Sequence, residues 1–246
     1  MHVDRAKRLP PADLRILAFD VFGTVVDWHG SICRELARLG LDADSAEFAR
    51  AWRAGYQPAM QRVRGGELGW TRLDDLHRMI LDEILPRFGL GHLDEAARRE
   101  LNLVWHRLDP WPDVCQGLAR LKSRYTICTL SNGNLGLLAE MAKRAALPWD
   151  CILGAEVFRA YKPDPATYLG VAEVFDVAPQ QVMLVAAHRD DLAAARACGL
   201  RSAYIERREE YGADCPKDVS PGDDDELDDD ELHAASFEVL ADLLGC

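Results

Sequence analysis

The sequence lacks several features that would each indicate a class of protein. No apolar run approaches the roughly 18 residues that span a membrane, so a membrane protein is not expected. The seven cysteines are odd in number, scattered, and never spaced as a CxxC pair, which argues against a disulfide framework and a zinc site. None of the seven histidines belongs to an HExxH motif, so the sequence indicates no metal site.

Acidic residues outnumber basic ones, 41 to 29. The net charge is −12, and the run 223–231 alone contains eight acidic residues. We interpret this run as a solvated surface loop, with a partner-binding patch as the alternative. An acidic chain without a basic stripe argues against a nucleic-acid partner. The N-terminal residues include no apolar stretch typical of a secretory signal, so with reduced thiols we expect a cytoplasmic protein.

Short apolar runs alternate with helical patterns over much of the chain. Strands are predicted at 14–19, 125–130, 151–154, 182–186 and 201–205, with a weaker one at 233–236. Helices are predicted near 135–146, 165–176, 191–198 and 237–244, and the third of these has Asp190 as its candidate N-cap. Strands that alternate with helices indicate a parallel, doubly wound sheet of the α/β class.

A different pattern fills the segment after the first strand. From Ser31 to about Leu108 the apolar residues recur at spacings of three and four, which predicts four or five helices and no strand. The sequence therefore predicts a Rossmann-like core, residues 11–29 and 111–246, interrupted by an inserted helical cap subdomain, residues 30–110.

Polar side chains follow three of the predicted strands. Asp20 comes directly after the first strand, Ser131 after the second, and His188 with Asp191 after the strand at 182–186. Ligands of open parallel sheets bind at the carboxyl ends of the strands, so we expect these side chains to converge. A helical cap packed over that edge would exclude water from the site.

Four segments, in this order, resemble the motifs of the haloacid dehalogenase superfamily. They are AFDVFGTVVDW at 18–28, LSNG at 130–133, YKPDP at 161–165 and LVAAHRDDL at 184–192. The resemblance covers most of the chain, and it assigns to Asp20 the role of the nucleophile.

Two positions within these motifs depart from the phosphatases of that superfamily. The phosphatases carry a DxD motif whose second Asp protonates the leaving alkoxide, whereas this chain has Phe22, which cannot give a proton. They also carry a magnesium-binding Asp where this chain has Ala187, although Asp190 and Asp191 could still hold a cation. Because a halide leaves without a proton, both changes favour carbon–halogen cleavage.

Within the superfamily the chain most resembles the type II (L-)2-haloacid dehalogenases, whose first motif also has an aromatic residue followed by Gly-Thr. By that resemblance, Asp20 attacks C2 of a haloacetate or 2-halopropionate and expels halide, and water then hydrolyses the aspartyl ester to release a 2-hydroxy acid. The resemblance implies no metal or other cofactor, and a small-molecule 2-haloacid and its halide as the bound molecules. Type II relatives are often dimers, so it favours a homodimer.

The same resemblance assigns roles to four residues around Asp20. Arg53 in the cap would accept the departing halide, which suits a delocalised, weakly hydrated cation; a surface arginine is the alternative. Asn132 would add an amide donor for the halide. Thr24 and Ser131 would hydrogen-bond the Asp20 carboxylate or the substrate carboxylate, unless they serve only as helix caps.

One lysine and three aromatic residues complete the predicted site. Lys162 would place a positive charge beside Asp20 and keep it ionised. Tyr168 matches a family tyrosine near the substrate, with core packing as the alternative. Phe22 and Trp28 would narrow the pocket near the nucleophile.

The fourth motif departs from the type II pattern. Many type II dehalogenases have Ser-x-Asn-x-x-Asp where this chain has Ala186, His188 and Asp191. We expect Asp191 to orient or activate the hydrolytic water, and His188 to replace the lost amide by positioning or deprotonating that water. A histidine that only fills space is the alternative. Fluoride needs strong, preorganised donors, so the sequence leaves fluoroacetate open as a substrate.

Three other functions stay open on the sequence. The first is a magnesium-dependent phosphatase of small phosphoesters that has moved its acid elsewhere. The second is a catalytically silent protein of the same superfamily that binds a partner, with the acidic run 223–231 as the contact surface. The third is opening of a strained nitrogen ring that carries a carboxylate, which would need a proton donor in the cap.

Overall fold

The computed structural model describes residues 13–219 and 231–246. Within them the strands, in chain order, are β1 (Ile16–Phe19), β2 (Val26–Asp27), β3 (Asp109–Pro110), β4 (Thr126–Ser131), β5 (Cys151–Gly154), β6 (Val182–Ala186), β7 (Arg201–Ile205) and β8 (Leu232–Ala234). The α-helices are α1 (Trp28–Arg38), α2 (Ser45–Ala54), α3 (Tyr56–Arg64), α4 (Leu73–Ile84), α5 (Glu95–Asn102), α6 (Val114–Lys122), α7 (Leu135–Arg144), α8 (Ala155–Phe158), α9 (Pro165–Val174), α10 (Arg189–Ala197) and α11 (Phe237–Leu243). Shorter 3-10 turns lie at Leu85–Phe88, Leu103–His106 and Pro179–Gln181.

Six of these strands form one parallel sheet in the order β5-β4-β1-β6-β7-β8. β1 pairs with β4 on one side and with β6 on the other. Leu17 and Phe19 belong to one apolar cluster, and Ile16 and Ala18 belong to a second cluster. Alternate residues of a strand point to opposite faces, so both faces of the sheet are covered, which explains the continuous apolar runs of its strands. The predicted parallel α/β class is confirmed.

The helices α1 to α5 lie between two short antiparallel strands. β2 pairs with β3, with Val26 opposite Pro110 and Asp27 opposite Asp109. The chain therefore leaves the core and returns to it through neighbouring strands. These five helices lie where the sequence shows apolar residues at spacings of three and four. In α4, for example, Leu76 and Ile80 are buried on one face of the helix. The division into core and cap at residues 30 and 110 stays a prediction.

The predicted elements differ from the observed ones mainly at their ends, and α6, α8, β2 and β3 are not among the predicted elements. β1 begins two residues later than predicted, and β4 extends to Ser131. The predicted N-cap Asp190 is wrong, because His188 has the extended backbone of an N-cap and Asp190 already lies in the first turn of α10. An acidic side chain there is favoured by the helix dipole. The acidic run lies outside the described residues except for Glu231, which pairs with Arg196.

Among the described residues there is no helix with the length and apolar character that crossing a bilayer requires.

Candidate active site

Asp20 lies at the carboxyl end of β1, where its backbone N–H donates to Val185 O of β6 (3.0 Å). Its side chain is buried and accepts three hydrogen bonds. Lys162 Nζ lies 3.0 Å from Oδ1, while Thr24 Oγ1 donates to Oδ2 at 2.6 Å and His188 Nδ1 lies 3.2 Å from the same oxygen. Burial alone would raise the pKa of Asp20, but Lys162 and His188 outweigh it and hold the pKa well below its ordinary value. Asp20 is therefore an ionised, desolvated carboxylate.

On the Oδ1 side of Asp20, Lys162 is shared between two carboxylates. Its ammonium also pairs with Asp191 Oδ2, and Tyr168 donates its hydroxyl to Asp191 Oδ1 at 2.6 Å. Burial works against the charge of Lys162, but the two carboxylates raise its pKa above its ordinary value. Burial and the neighbouring Asp20 charge raise the pKa of Asp191, against the effect of Lys162.

On the Oδ2 side, His188 connects Asp20 to a carboxylate that has no solvent exposure. His188 Nε2 lies 2.8 Å from Glu210 Oε1, and Glu210 is 0% exposed. Lys217 Nζ lies 3.0 Å from Oε2, and the Trp28 indole N–H lies 3.3 Å from Oε1. Burial opposes the charge of His188, but Glu210 and Asp20 raise its pKa to about 9. Burial likewise raises the pKa of Glu210, but His188 and Lys217 lower it to about 2.

A cavity of about 420 Å³ opens above these groups, between the sheet edge and the helices that follow β2. The Arg53 guanidinium reaches it from α2 and lies 4.2 Å from the centre of the Tyr56 ring. Arg53 Nε is buried without a hydrogen-bond partner, and among the described residues no carboxylate pairs with Arg53. The cavity therefore presents a cation to an anionic guest.

The predicted site residues fall into two sets. Asp20, Phe22, Arg53, Asn132, Lys162, Tyr168, His188 and Asp191 line the cavity together. The other three, Thr24, Trp28 and Ser131, are buried in the layer behind the cavity wall.

The polar group of each residue behind the cavity wall has a hydrogen-bond partner within the protein. Thr24 supports Asp20 directly, and the Trp28 indole faces Glu210 instead of the cavity. Ser131 Oγ accepts from the Gly133 backbone N–H at 3.1 Å.

Asn132 binds the backbone at Lys162 through its side-chain oxygen, and its side-chain N–H₂ group is a hydrogen-bond donor at the cavity. Its Oδ1 accepts from the Lys162 backbone N–H at 2.8 Å. Its Nδ2 lies 3.3 Å from the Met60 sulfur. Because a thioether sulfur is a weak acceptor, this N–H can exchange it for a stronger acceptor, such as a bound anion.

Sequence reasoning missed Glu210 and Lys217. Glu210 lies in the segment directly after β7, the neighbour of β6, so the rule that located Asp20 and His188 could have located it. The described residues include no group of three or more His, Cys, Asp or Glu side chains arranged to hold a metal ion.

Comparisons with known proteins cover most of the chain. Residues 14–199 match the family model of haloacid dehalogenase-like hydrolases. The chain is 30% identical over 207 residues to (S)-2-haloacid dehalogenase 4A of Burkholderia cepacia, covering 79% of this chain and 84% of that protein. A phosphoglycolate phosphatase of Pseudomonas putida is 28% identical over 197 residues, covering 76% of this chain and 67% of that protein.

Two solved structures are more similar still. One is an L-2-haloacid dehalogenase, 44% identical, with a TM-score of 0.87 over 94% of this chain and 99% of that one. The other is a defluorinating L-2-haloacid dehalogenase, 41% identical, with a TM-score of 0.88 over 97% of this chain and 99% of that one. The parallel sheet, the four motifs and these matches together establish that the chain belongs to the haloacid dehalogenase-like hydrolase family.

Proposed function

We propose that this protein hydrolyses short 2-haloacids to 2-hydroxy acids and halide, with Asp20 as the nucleophile. The observation that carries the proposal is the pairing of a buried, ionised Asp20 with Phe22, where a phosphatase would need an acid. The similarity to L-2-haloacid dehalogenases at 41% and 44% identity supports the same chemistry.

The first half-reaction is a displacement at carbon. One Asp20 oxygen attacks C2 of the substrate, the C2–O bond forms as the carbon–halogen bond breaks, and the halide takes the electron pair. Oδ1 accepts one hydrogen bond and Oδ2 accepts two, so Oδ1 keeps the more available lone pairs. Lys162 keeps Asp20 ionised, and Arg53 with Asn132 receives the halide on the cap side of the cavity.

The position of His188 argues against the other leaving groups. An imidazolium is a proton donor, and an alkoxide or a ring nitrogen would need one. In a displacement, however, the leaving group departs on the side opposite to the attacking oxygen. His188 hydrogen-bonds Asp20 itself, and so stands on the attacking side, whereas Arg53 lies on the cap side and serves as a hydrogen-bond donor, not as a general acid.

The second half-reaction is hydrolysis of the Asp20 ester. Water attacks the Asp20 carboxyl carbon, and Thr24, which donates to Oδ2, is placed to stabilise the oxyanion that forms there. Both oxygens of Asp191 are taken by Lys162 and Tyr168, so we assign Asp191 to holding Lys162 and His188 to activating the water.

Incubation with L- and D-2-chloropropionate in buffer containing EDTA, with measurement of free chloride, tests the proposed function. We expect chloride release without added metal, and none from the Asp20→Ala variant. Chloroacetate and fluoroacetate in parallel reactions would define the range of leaving groups. Release of phosphate from phosphoesters with magnesium, without halide from any short 2-haloacid, would overturn the proposal in favour of a phosphatase.

A further inference from the structure

We propose that Glu210 is a positioning residue that makes His188 the base for hydrolysis of the Asp20 ester, and that ester formation itself converts His188 from a cation to a base. This inference rests on the proposed function and concerns its second half-reaction. It is carried by the chain of contacts from Asp20 through His188 to Glu210.

The carboxylate of Glu210 is held in one place. His188, Lys217 and Trp28 all lie within hydrogen-bond distance of it, and it has no exposure to solvent. Gly23 makes room for it, because a Cβ at this position, where φ is +87°, would overlap the Glu210 carboxylate. The glycine of the first motif therefore accommodates Glu210.

The loop that carries Glu210 is fixed to the core as well. Arg207 Nε donates to the Thr24 carbonyl oxygen at 2.8 Å, and Arg207 Nη1 lies 3.0 Å from Asp113. Lys217, besides contacting Glu210, donates to the Ala187 carbonyl oxygen just before His188. The Glu210 loop and the backbone before His188 are therefore held together, which fixes the position of the Glu210 carboxylate relative to the His188 ring.

An ionised carboxylate only accepts hydrogen bonds, so Glu210 requires a proton on Nε2 of His188. When His188 is neutral, its lone pair must then be on Nδ1, the nitrogen that faces Asp20. Nδ1 already lies 3.2 Å from Asp20 Oδ2, so a water that it holds is within reach of the Asp20 carboxyl carbon. A base oriented by a third group is the usual arrangement for activating a nucleophile.

The charge of His188 depends on the state of Asp20. In the free enzyme two anions, Asp20 and Glu210, face the ring and raise its pKa to about 9, so the ring is an imidazolium near neutral pH. Alkylation turns Asp20 into a neutral ester, while the cations Lys162, Lys217 and Arg53 remain nearby. The pKa of His188 then falls, and the ring loses its proton to solvent.

Hydrolysis then restores the starting charges. Water adds to the ester carbonyl, and one of its protons moves to Nδ1 of His188. The adduct collapses, the alkoxide of the 2-hydroxy acid takes that proton as it leaves, and Asp20 is left as a carboxylic acid. This acid passes its proton to His188, which regenerates the Asp20 carboxylate and the imidazolium.

The test separates the two half-reactions in the Glu210→Gln variant. Lys217 favours the amide oxygen on its own side, which turns the amide N–H₂ toward His188 Nε2 and moves the ring proton to Nδ1. With excess 2-chloropropionate we expect ester formation within about threefold of wild type and ester breakdown slowed about 100-fold or more. A burst of one chloride per active site, with the ester detected by intact-protein mass spectrometry, would report this difference.

Glu206→Gln is the matched control. It removes the partner of another histidine, since His233 Nε2 lies 2.7 Å from Glu206 Oε1, and the pair does not line the cavity. We expect both half-reactions of this variant to match wild type.

Three further readouts distinguish positioning from a structural role. Glu210→Asp, which keeps the charge, should recover part of the breakdown rate. Adding Glu210→Gln to His188→Asn should slow breakdown no further, because Glu210 acts through His188. The acid limb of ester breakdown should move to lower pH in Glu210→Gln, because loss of an anion lowers the pKa of His188.

Thermal unfolding shows whether the Glu210 variants remain folded. If they do not, the Glu210→Gln/Lys217→Met double variant also removes the lysine charge that the amide no longer neutralises. Equal slowing of both half-reactions, an unchanged breakdown rate, or additive losses with His188→Asn would overturn the role of Glu210. Absence of halide release from wild type would instead overturn the proposed function, so the two failures are distinguishable.

Discussion

The two sides of Asp20 are built alike, each from a cation backed by a carboxylate, but they differ in whether the cation can lose its proton. On the Oδ1 side stands Lys162 with Asp191, and on the Oδ2 side stands His188 with Glu210. The pKa of Lys162 is raised above its already high ordinary value, whereas that of His188 is raised only to about 9.

This difference matches the two halves of the proposed reaction. Displacement of halide needs an ionised Asp20 throughout, which a permanent cation secures. Ester hydrolysis needs a group that can take a proton once the Asp20 charge is gone, and only the imidazole side offers one near neutral pH. Three predictions would break or sharpen this comparison.

Removing the permanent cation should have the largest effect. Lys162→Met removes the cation between Asp20 and Asp191, so repulsion between the two carboxylates raises the pKa of Asp20. We expect ester formation to slow about 1,000-fold at neutral pH and to recover partly as pH rises. Single-turnover chloride release measures this. Lys122→Met, which removes a surface lysine 2.7 Å from Asp150, is the control and should match wild type.

Removing the titratable cation should have a smaller and different effect. We expect His188→Asn to form the ester within about threefold of the wild-type rate and to hydrolyse it about 100-fold more slowly. Rapid quenching followed by mass spectrometry of the intact protein measures both rates. Unchanged breakdown would leave His188 as a space-filling residue, and His233→Asn serves as a control outside the cavity.

The smallest effect should be on stability. The pKa of His188 rises from 6.5 to about 9 on folding, so its charge stabilises the protein fully below pH 6.5 and ceases to do so as pH rises through 9. Urea unfolding of wild type and His188→Asn should therefore show a stability difference about 3 kcal/mol larger at pH 6 than at pH 10.

The control for this measurement is the half-exposed pair His233–Glu206. Solvent screens this pair, so we expect His233→Asn to change the free energy of unfolding less than His188→Asn does. An equal difference for the two variants would contradict the effect of burial.

The strands and the place of Asp20 at a strand end could be predicted because their signals are local. β5, β6 and β7 have the predicted bounds, because short runs rich in apolar residues are typical of buried parallel strands. Asp20 follows such a run directly. The start of α10 is harder to predict, because the N-cap is defined by backbone angles. Residue type favours Asp190 as the N-cap, whereas His188 has the extended backbone of that position.

Contacts between site residues that are far apart in the sequence are harder to predict. Glu210 lies 22 residues from His188, and only the parallel pairing of β6 with β7 brings the segments that follow them together. The role of Trp28 beside the substrate stays a prediction, and its indole N–H faces Glu210, a partner that residue type and spacing do not reveal.

The sequence by itself determined the parallel α/β class, the helical insertion, the motif with Asp20 and Phe22, and the presence of Lys162, His188 and Asp191. These follow from residue type and spacing, which the chain carries locally. The tertiary structure alone decided that Asp191 contacts Lys162 and that Glu210 contacts His188. Protonation and orientation depend on burial and on charges contributed by distant segments, which are set only when the sheet and the helices pack together.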